Sequence, residues 1–277
     1  LNIYGQQAPP TISRLTLAGG LPSAVFWPLC DALLKVMHWQ DALLIYALFG
    51  LLSAVLICQL PHHKPPVIVK TEASVSKDDP HNGWLYAAFI ALITFVSNGT
   101  STHLPEFIAS FGLPVGIGML WGFGQTGARL MEVMAGTRLT PLRLTLLTSL
   151  AMPLCFLVGL GGSKFVWLAA GFVLGYGAIN GLVTIVKATL PLELFSAESY
   201  ARRTGVLLIP GQLMAAASPF AYAWLNNMLG IAGAQWFSLS LTLVIAALAV
   251  VIVRRNRHIR PESVSKMYPT VSRQPRG

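Results

Sequence analysis

The chain has 277 residues, of which 54% are hydrophobic and only 10% are charged, and its formal net charge is +9. A soluble globular protein carries about a quarter charged residues, so this composition excludes an ordinary water-soluble domain. The basic residues lie in short loops and a tail rather than on one amphipathic face, so the positive charge does not indicate a nucleic-acid partner.

Apolar stretches recur along the whole chain at the length of membrane-crossing helices. Such a helix needs roughly 20 mostly apolar residues. The sequence therefore predicts an all-α polytopic membrane protein with about eight spans. In chain order, the predicted spans are Leu15 to Met37, Asp41 to Leu60, Gly83 to Leu104, Leu113 to Met134, Leu144 to Gly162, Phe165 to Leu192, Gly205 to Trp224 and Ile231 to Val253. The last two are separated at the polar pair Asn226-Asn227.

The first predicted span holds an acidic residue, Asp31, which lies roughly 24 Å along the helix from its start. It could bind a coupling proton or a cationic substrate, or it could pair with Lys35 at the interface through helical i,i+4 spacing. Trp27 is grouped with Asp31 among the candidate substrate-binding or coupling residues.

A polar segment, Pro61 to His81, separates the second span from the third and contains Pro65-Pro66. It predicts a linker between helical bundles, with two spans before it and six after it. We therefore expect residues 1–60 to end an N-terminal bundle, 61–82 to form a cytoplasmic linker, 83–253 to form a six-helix bundle and 254–277 to form a basic cytoplasmic tail. We expect the two spans before the linker to form their bundle with further N-terminal helices of the same parent protein.

The third span ends in a polar stretch that includes Asn98 and His103. Asn98 is a candidate substrate-binding residue. His103 could change charge near neutral pH and relay protons, or it could cap the span at the interface.

The fourth span places Gln125 and Arg129 one helical turn apart on the same face. Together they could hold a carboxylate or phosphate, because a guanidinium binds such anions through two parallel hydrogen bonds. The alternative is a cytoplasmic gate, in which Arg129, Glu132 and Arg138 form salt bridges to helix ends and to the other bundle.

Asn180 in the sixth span and Gln212 in the seventh could bond either a ligand or neighbouring helices. Lys187 is expected to act as a gating or snorkelling cation. We predict that Gln125, Asn180, Gln212 and at least one of Asp31 and Arg129 converge on one aqueous cavity.

Glycines in the fourth and sixth spans recur at the spacings that allow helices to approach closely in lipid. They are predicted to be packing residues: Gly116, Gly118, Gly122, Gly124 and Gly127, and Gly171, Gly175, Gly177 and Gly181.

Four segments resemble bacterial transporters of the major facilitator superfamily: Gly19 to Leu29, Gly122 to Glu132, Gly181 to Phe195 and Gly205 to Pro219. They are similar to the fifth, eighth, tenth and eleventh helices of that family, so the chain would cover about its fifth to twelfth helices. The resemblance implies a major facilitator-type helical bundle that transports by alternating access around a site at the membrane midplane.

With eight spans, the loops on one side of the membrane hold only two basic residues, Lys35 and Lys164. Lys187 lies at the end of a span and is set aside, and most other basic residues lie on the opposite side. Such asymmetry places both ends of the chain in the cytoplasm, and the resemblance implies the plasma membrane of a bacterium. We expect a secondary transporter of a small organic solute, surrounded by lipid and coupled to protons or another ion.

Two other kinds of protein compete with the transporter. One is a non-transporting receptor or scaffold, which would lack polar groups facing a central cavity. The other is a membrane-embedded enzyme, which would need a catalytic cluster that the sequence does not contain. No cofactor or metal site is expected. The pair His62-His63 could bind a metal, but it lies in the linker without nearby acidic or Cys ligands, which favours a solvated pair.

Overall fold

The computed structural model describes residues 21–59, 80–136, 139–195 and 200–256, and every regular element in these ranges is a helix. A single 3-10 turn, Val115–Gly118, lies among them. The α-helices are α1 (Leu21–Leu34), α2 (Trp39–Cys58), α3 (Pro80–Thr102), α4 (Leu104–Ser110), α5 (Met119–Ala135), α6 (Pro141–Leu160), α7 (Val166–Leu194), α8 (Tyr200–Leu207) and α9 (Ile209–Asn256).

Five helical stretches within these ranges are long and apolar enough to cross a membrane. They are Trp39–Cys58, His81–Thr102, Pro141–Leu160, Val166–Leu194 and Arg202–Asn256. The prediction of an all-helical chain with membrane-crossing helices is confirmed in this form, whereas the count of eight is not.

The differences from eight spans have local causes. α1 has 14 residues in the described part of the chain, too few to cross about 30 Å of hydrocarbon alone. α5 has 17 residues, which is at the lower limit of length for a membrane-crossing helix, and it follows the 3-10 turn. The two last predicted spans form one long element, Arg202–Asn256, in which α9 breaks at Gly230 (φ 70°, ψ 173°).

The break in α9 was expected at Asn226-Asn227, but both residues remain helical. Glycine adopts a positive φ at little steric cost, so Gly230 reverses the chain between arms 209–229 and 231–256. Backbone hydrogen bonds from Leu208 to Thr204 and from Gln212 to Leu208 carry the helix from α8 into the first arm.

The helices from α3 to α9 share one apolar core. In it α3 packs on α9, α9 on α6, α6 on α7, and α7 on α5. Phe156, Phe172 and Tyr176 form an aromatic cluster with ring centroids 5.7–5.8 Å apart. The cluster joins the C-terminal part of α6 to the first half of α7.

The outer helices are held differently. α1 packs against α5, whereas α2 buries only Ala42 and leaves most of its apolar surface uncovered by the described helices. A hydrogen bond ties the start of α3 to the end of α9, because the buried side chain of Asn82 donates to Asn256 Oδ1 over 3.1 Å.

Only some of the predicted segments of the chain lie within the described residues. Most of the predicted linker lies at 60–79, outside them, as do residues 1–20 and 257–277. α9 continues through Asn256, so the helix extends past Val253, where the basic tail was expected to begin.

Candidate functional site

The candidate site lies where α5 and α7 cross at very short range. A Cβ atom added to Gly124 would overlap the backbone of Leu174, and one added to Gly177 would overlap the backbone of Trp121. At Gly181 the added atom would lie 2.7 Å from the carbonyl oxygen of Gln125. The packing prediction is therefore confirmed for these three glycines, and the close approach brings polar side chains of α5 against the α7 backbone.

Arg129 is the central residue of this crossing and is only 5% exposed. Its Nε donates to the carbonyl oxygen of Gly181 over 3.4 Å, and its Nη2 donates to Thr184 Oγ1 over 2.9 Å. The Thr184 hydroxyl in turn donates to the Gly181 carbonyl over 2.6 Å. A backbone carbonyl and a hydroxyl of α7 thus fix the orientation of the guanidinium.

Three polar side chains share the buried face of α5. Gln125 lies one helical turn before Arg129, and Glu132 lies three residues after it. Gln125 is 8% exposed and Glu132 is 9% exposed. This combination of amide, guanidinium and carboxylate is suited to binding a polar solute or to forming a gate of charged groups.

The other predicted site residues are less closely connected to Arg129. Asn180 is half-buried on α7, next to Gly181, whereas Gln212 is exposed on α9. Lys187 is half-buried, and its carbonyl oxygen accepts a 3.3 Å hydrogen bond from Tyr86. The side chains of Trp27 and Asp31 and the whole of Arg138 lie outside the described residues.

Asn98, a predicted substrate-binding residue, makes hydrogen bonds from α3 to α9. Its Nδ2 donates to the Ala215 carbonyl over 2.6 Å and to Ser218 Oγ over 3.2 Å. Pro219 lacks the N–H that would otherwise reach Ala215, so the Asn98 amide supplies a replacement donor. Its observed contacts hold α3 against α9.

A second polar cluster occupies the corner between α3 and α4. His103 Nδ1 lies 3.0 Å from Glu106 Oε2, and His103 Nε2 lies 3.0 Å from the Pro219 carbonyl oxygen. Asn226 Nδ2 donates to the same Glu106 oxygen over 3.0 Å. We call His103, Glu106 and Asn226 the corner cluster.

Neither Glu106 nor Asn226 was a predicted site residue. The i,i+3 spacing of His103 and Glu106 was a local signal that could have identified their pairing. The contact with Asn226 had no such signal, because it joins residues 120 positions apart. As the N-cap of α4, His103 makes no side-chain capping bond to the first turn of that helix.

Within the described ranges no group of three or more His, Cys, Asp or Glu side chains is arranged to hold a metal ion. The amide, guanidinium and carboxylate at the α5–α7 crossing supply hydrogen bonds and charge. In comparisons with known proteins, the sequence matches no family model and no curated protein.

Proposed function

We propose that this protein is a secondary transporter of a small organic anion and that Arg129 forms part of its binding site. The observation that carries the proposal is a buried guanidinium, fixed by α7, inside a bundle of apolar helices. A charge at membrane depth costs about 2.5 kcal/mol or more, so such residues usually serve ion or solute movement.

The chemistry of the crossing favours a carboxylate or phosphate as the bound group. A guanidinium stays protonated and offers planar donors that match the two oxygens of such an anion. Gln125, on the same face of α5, adds an amide that can donate to the solute or accept from it. A neutral or cationic solute would make less use of this positive charge.

The proposal includes a major facilitator-type bundle that works by alternating access, driven by a proton or other ion gradient. The contact of α1 with α5 supports it, since α5 then lies between helices from both sides of the 60–79 segment. The largely uncovered apolar surface of α2 is suited to lipid or to further helices of the parent protein. We also propose that the protein lies in a bacterial plasma membrane, crosses it with eight spans and has both ends of the chain in the cytoplasm.

Uptake by the parent protein in proteoliposomes tests the role of Arg129. We expect Arg129→Ala to reduce uptake of carboxylates or phosphates by about tenfold or more, because a charged hydrogen bond contributes roughly 1.5–3 kcal/mol. Arg129→Lys should retain part of the activity, since it keeps the charge but loses the planar fork. The measurement is initial uptake across a panel of anionic, neutral and cationic solutes.

Lys164→Ala is the matched control, because Lys164 is an exposed cation in the turn between α6 and α7. Its uptake should stay near that of the wild type. Thermal unfolding of each purified variant separates a loss of transport from a loss of folding. Equal uptake by folded Arg129→Ala and Lys164→Ala proteins would overturn the role of Arg129, and no uptake of any solute by the wild type would overturn the transporter.

A further inference from the structure

We infer that His103 and Glu106 together form a proton-binding site at the corner between α3 and α4. The inference deepens the proposed function, since the bound proton would be the coupling ion of the proposed transport. It rests on the geometry of the corner cluster, which lies on α3, α4 and α9 and is separate from the α5–α7 crossing.

The two nitrogens of the His103 ring both face acceptors. Nε2 points to the Pro219 carbonyl oxygen, which can only accept, so Nε2 must carry a hydrogen. Nδ1 points to a carboxyl oxygen of Glu106. If the ring were neutral and Glu106 ionised, the Nδ1 lone pair would face a carboxylate oxygen at 3.0 Å, which is repulsive. The geometry is satisfied only when the pair holds one additional proton.

Asn226 indicates where that proton resides. Its Nδ2 donates to Glu106 Oε2, the same oxygen that faces His103 Nδ1. An ionised carboxylate oxygen can accept both bonds, one from Asn226 and one from Nδ1–H. Because donors bind an ionised oxygen more strongly than a protonated one, these two bonds favour an imidazolium beside a carboxylate, with the proton on Nδ1.

The surroundings provide both a route for the proton and a place to keep it. The side chain of Glu106 is 56% exposed, whereas that of His103 is 10% exposed, so a proton from the aqueous phase meets Glu106 first. The His103 ring also lies parallel to the Tyr222 ring, with centroids 6.3 Å apart. An aromatic face attracts a cation within about 6 Å of its centroid, so this contact lies at the edge of that range.

The titratable groups that face the His103 ring in the described structure are Glu106 from α4 and Tyr222 from α9. Tyr222 shares a 2.7 Å hydrogen bond with Ser238 in the second arm of α9. On the α7 side, Tyr176 donates to the Ser97 carbonyl over 2.9 Å, almost two helical turns from His103 along α3. Glu106 is therefore the direct proton partner of the ring.

Release of the proton would loosen the corner. The Nδ1–H bond breaks and the proton passes to water by way of the Glu106 carboxylate, which leaves the ring neutral and changes no other covalent bond. The bond between His103 and Glu106 is then lost, while Asn226 still binds the carboxylate. Because His103 Nε2 also bonds Pro219, the protonation of one ring is linked to the packing of the α3–α4 corner on α9.

Nitrogen NMR of ¹⁵N-histidine-labelled chain in detergent micelles tests the inference without any transport assay. The titration runs from about pH 5 to about pH 9, the range over which histidine ordinarily changes charge. In the wild type we expect both ring nitrogens of His103 to carry hydrogen in the acidic part of this range and Nδ1 to lose it in the basic part. His103→Gln assigns the signals by their disappearance.

Glu106→Gln is the critical variant, since it keeps the size of the side chain but removes its charge. We expect the doubly protonated form of His103 to be less populated in this variant than in the wild type at the same pH, because the neighbouring negative charge is gone. The signals of His38, an exposed histidine in the turn between α1 and α2, serve as the control and should be the same in both proteins at each pH. A His103 ring that carries one hydrogen at every pH, or that ignores Glu106→Gln, would overturn the inference.

Transport by the parent protein distinguishes the inference from the proposed function. If His103 titrates as expected, we expect proton-driven uptake to lose most of its pH dependence in Glu106→Gln. Normal pH dependence in that variant would overturn the coupling role, even if Arg129 proved necessary for uptake. If no solute is transported while the NMR result holds, the proposed function fails and the proton site stands.

Discussion

Pro219 removes one hydrogen-bond donor from the first arm of α9, and polar side chains replace it. The Ala215 carbonyl accepts from Asn98 over 2.6 Å and from Ser218 over 3.0 Å. The carbonyl of Pro219 accepts from His103. A buried carbonyl oxygen without a partner is costly, and these side chains give such partners to the backbone of α9. The missing N–H of Pro219 thereby explains the position of Asn98 on α3.

If Asn98 is a packing residue, its removal should change stability more than binding. We expect Asn98→Ala to lower the free energy of unfolding by about 1 kcal/mol, in line with hydrogen bonds between membrane helices. Thermal unfolding in detergent provides the measurement. Ser240→Ala is the control, because the Ser240 hydroxyl is exposed and bonds only within α9, to the Phe237 carbonyl.

An unchanged midpoint for Asn98→Ala, together with weaker solute binding, would contradict this view. It would return Asn98 to the substrate-binding role that the sequence predicts. A decrease in both variants of equal size would also contradict it, since the Ser240 bond does not join two helices.

At the level of elements, the α5–α7 pair is determined by which glycines face the partner helix. The small-residue spacing predicted packing roles for five glycines between Gly116 and Gly127, without ranking them. In the structure Gly124 lies against the α7 backbone, whereas Gly127 and Gly116 have open space where a Cβ would be. Spacing along a helix identifies a stripe of small residues but not the rotation of that stripe towards a neighbour.

Alanine at Gly124 and at Gly127 should therefore have opposite effects. Gly124→Ala inserts a methyl group against the Leu174 carbonyl and the Ala178 backbone nitrogen, which cannot rotate away, so we expect a loss of about 1–3 kcal/mol. Gly127→Ala meets nothing within 4 Å and should be neutral or stabilising by up to about 1 kcal/mol. The measurement is the unfolding free energy of each variant in detergent.

The Gly124→Ala and Gly127→Ala variants should also differ in uptake. Separation of α5 from α7 would also displace Arg129 from Thr184, so Gly124→Ala should impair uptake while Gly127→Ala should not. Equal stability of the two variants would show that α5 and α7 do not approach each other in the way described.

At the level of the whole molecule, the sequence predicted what depends on local composition. Apolar length is a property of a single segment, so Trp39–Cys58 and Val166–Leu194 could be identified without knowledge of their neighbours. The chain reversal was misplaced by a few residues because Asn226 reads as a break, whereas its side chain instead binds Glu106 and Gly230 makes the turn.

The partners in the candidate site could not be predicted in the same way. The face shared by Gln125 and Arg129 follows from i,i+4 spacing, but their position opposite Gly181 and Thr184 depends on how α5 and α7 pair. Likewise, the bond from His103 to Pro219 joins residues 116 positions apart and has no sequence signal. Such contacts depend on tertiary packing.

The orientation of α6 tests the whole arrangement in the membrane. Arg143 lies in the first turn of α6 and Lys164 lies just past its end, with 20 residues in the helix between its bounds. At 1.5 Å per residue the helix is about 30 Å long, so the two cations should lie on opposite faces of the membrane. The predicted distribution of basic residues places Arg143 in the cytoplasm and Lys164 outside.

Cysteine labelling in intact cells measures this orientation. Cys30, Cys58 and Cys155 are first replaced by serine or alanine, since all three are free thiols. We then expect a maleimide that cannot cross the membrane to label Lys164→Cys but not Arg143→Cys, and to label both after the cells are opened. Reversed labelling would contradict the cytoplasmic placement of the basic ends, because the charge asymmetry along the chain assigns Lys164 to the less basic side. Labelling of both sites in intact cells would contradict α6 as a membrane-crossing helix.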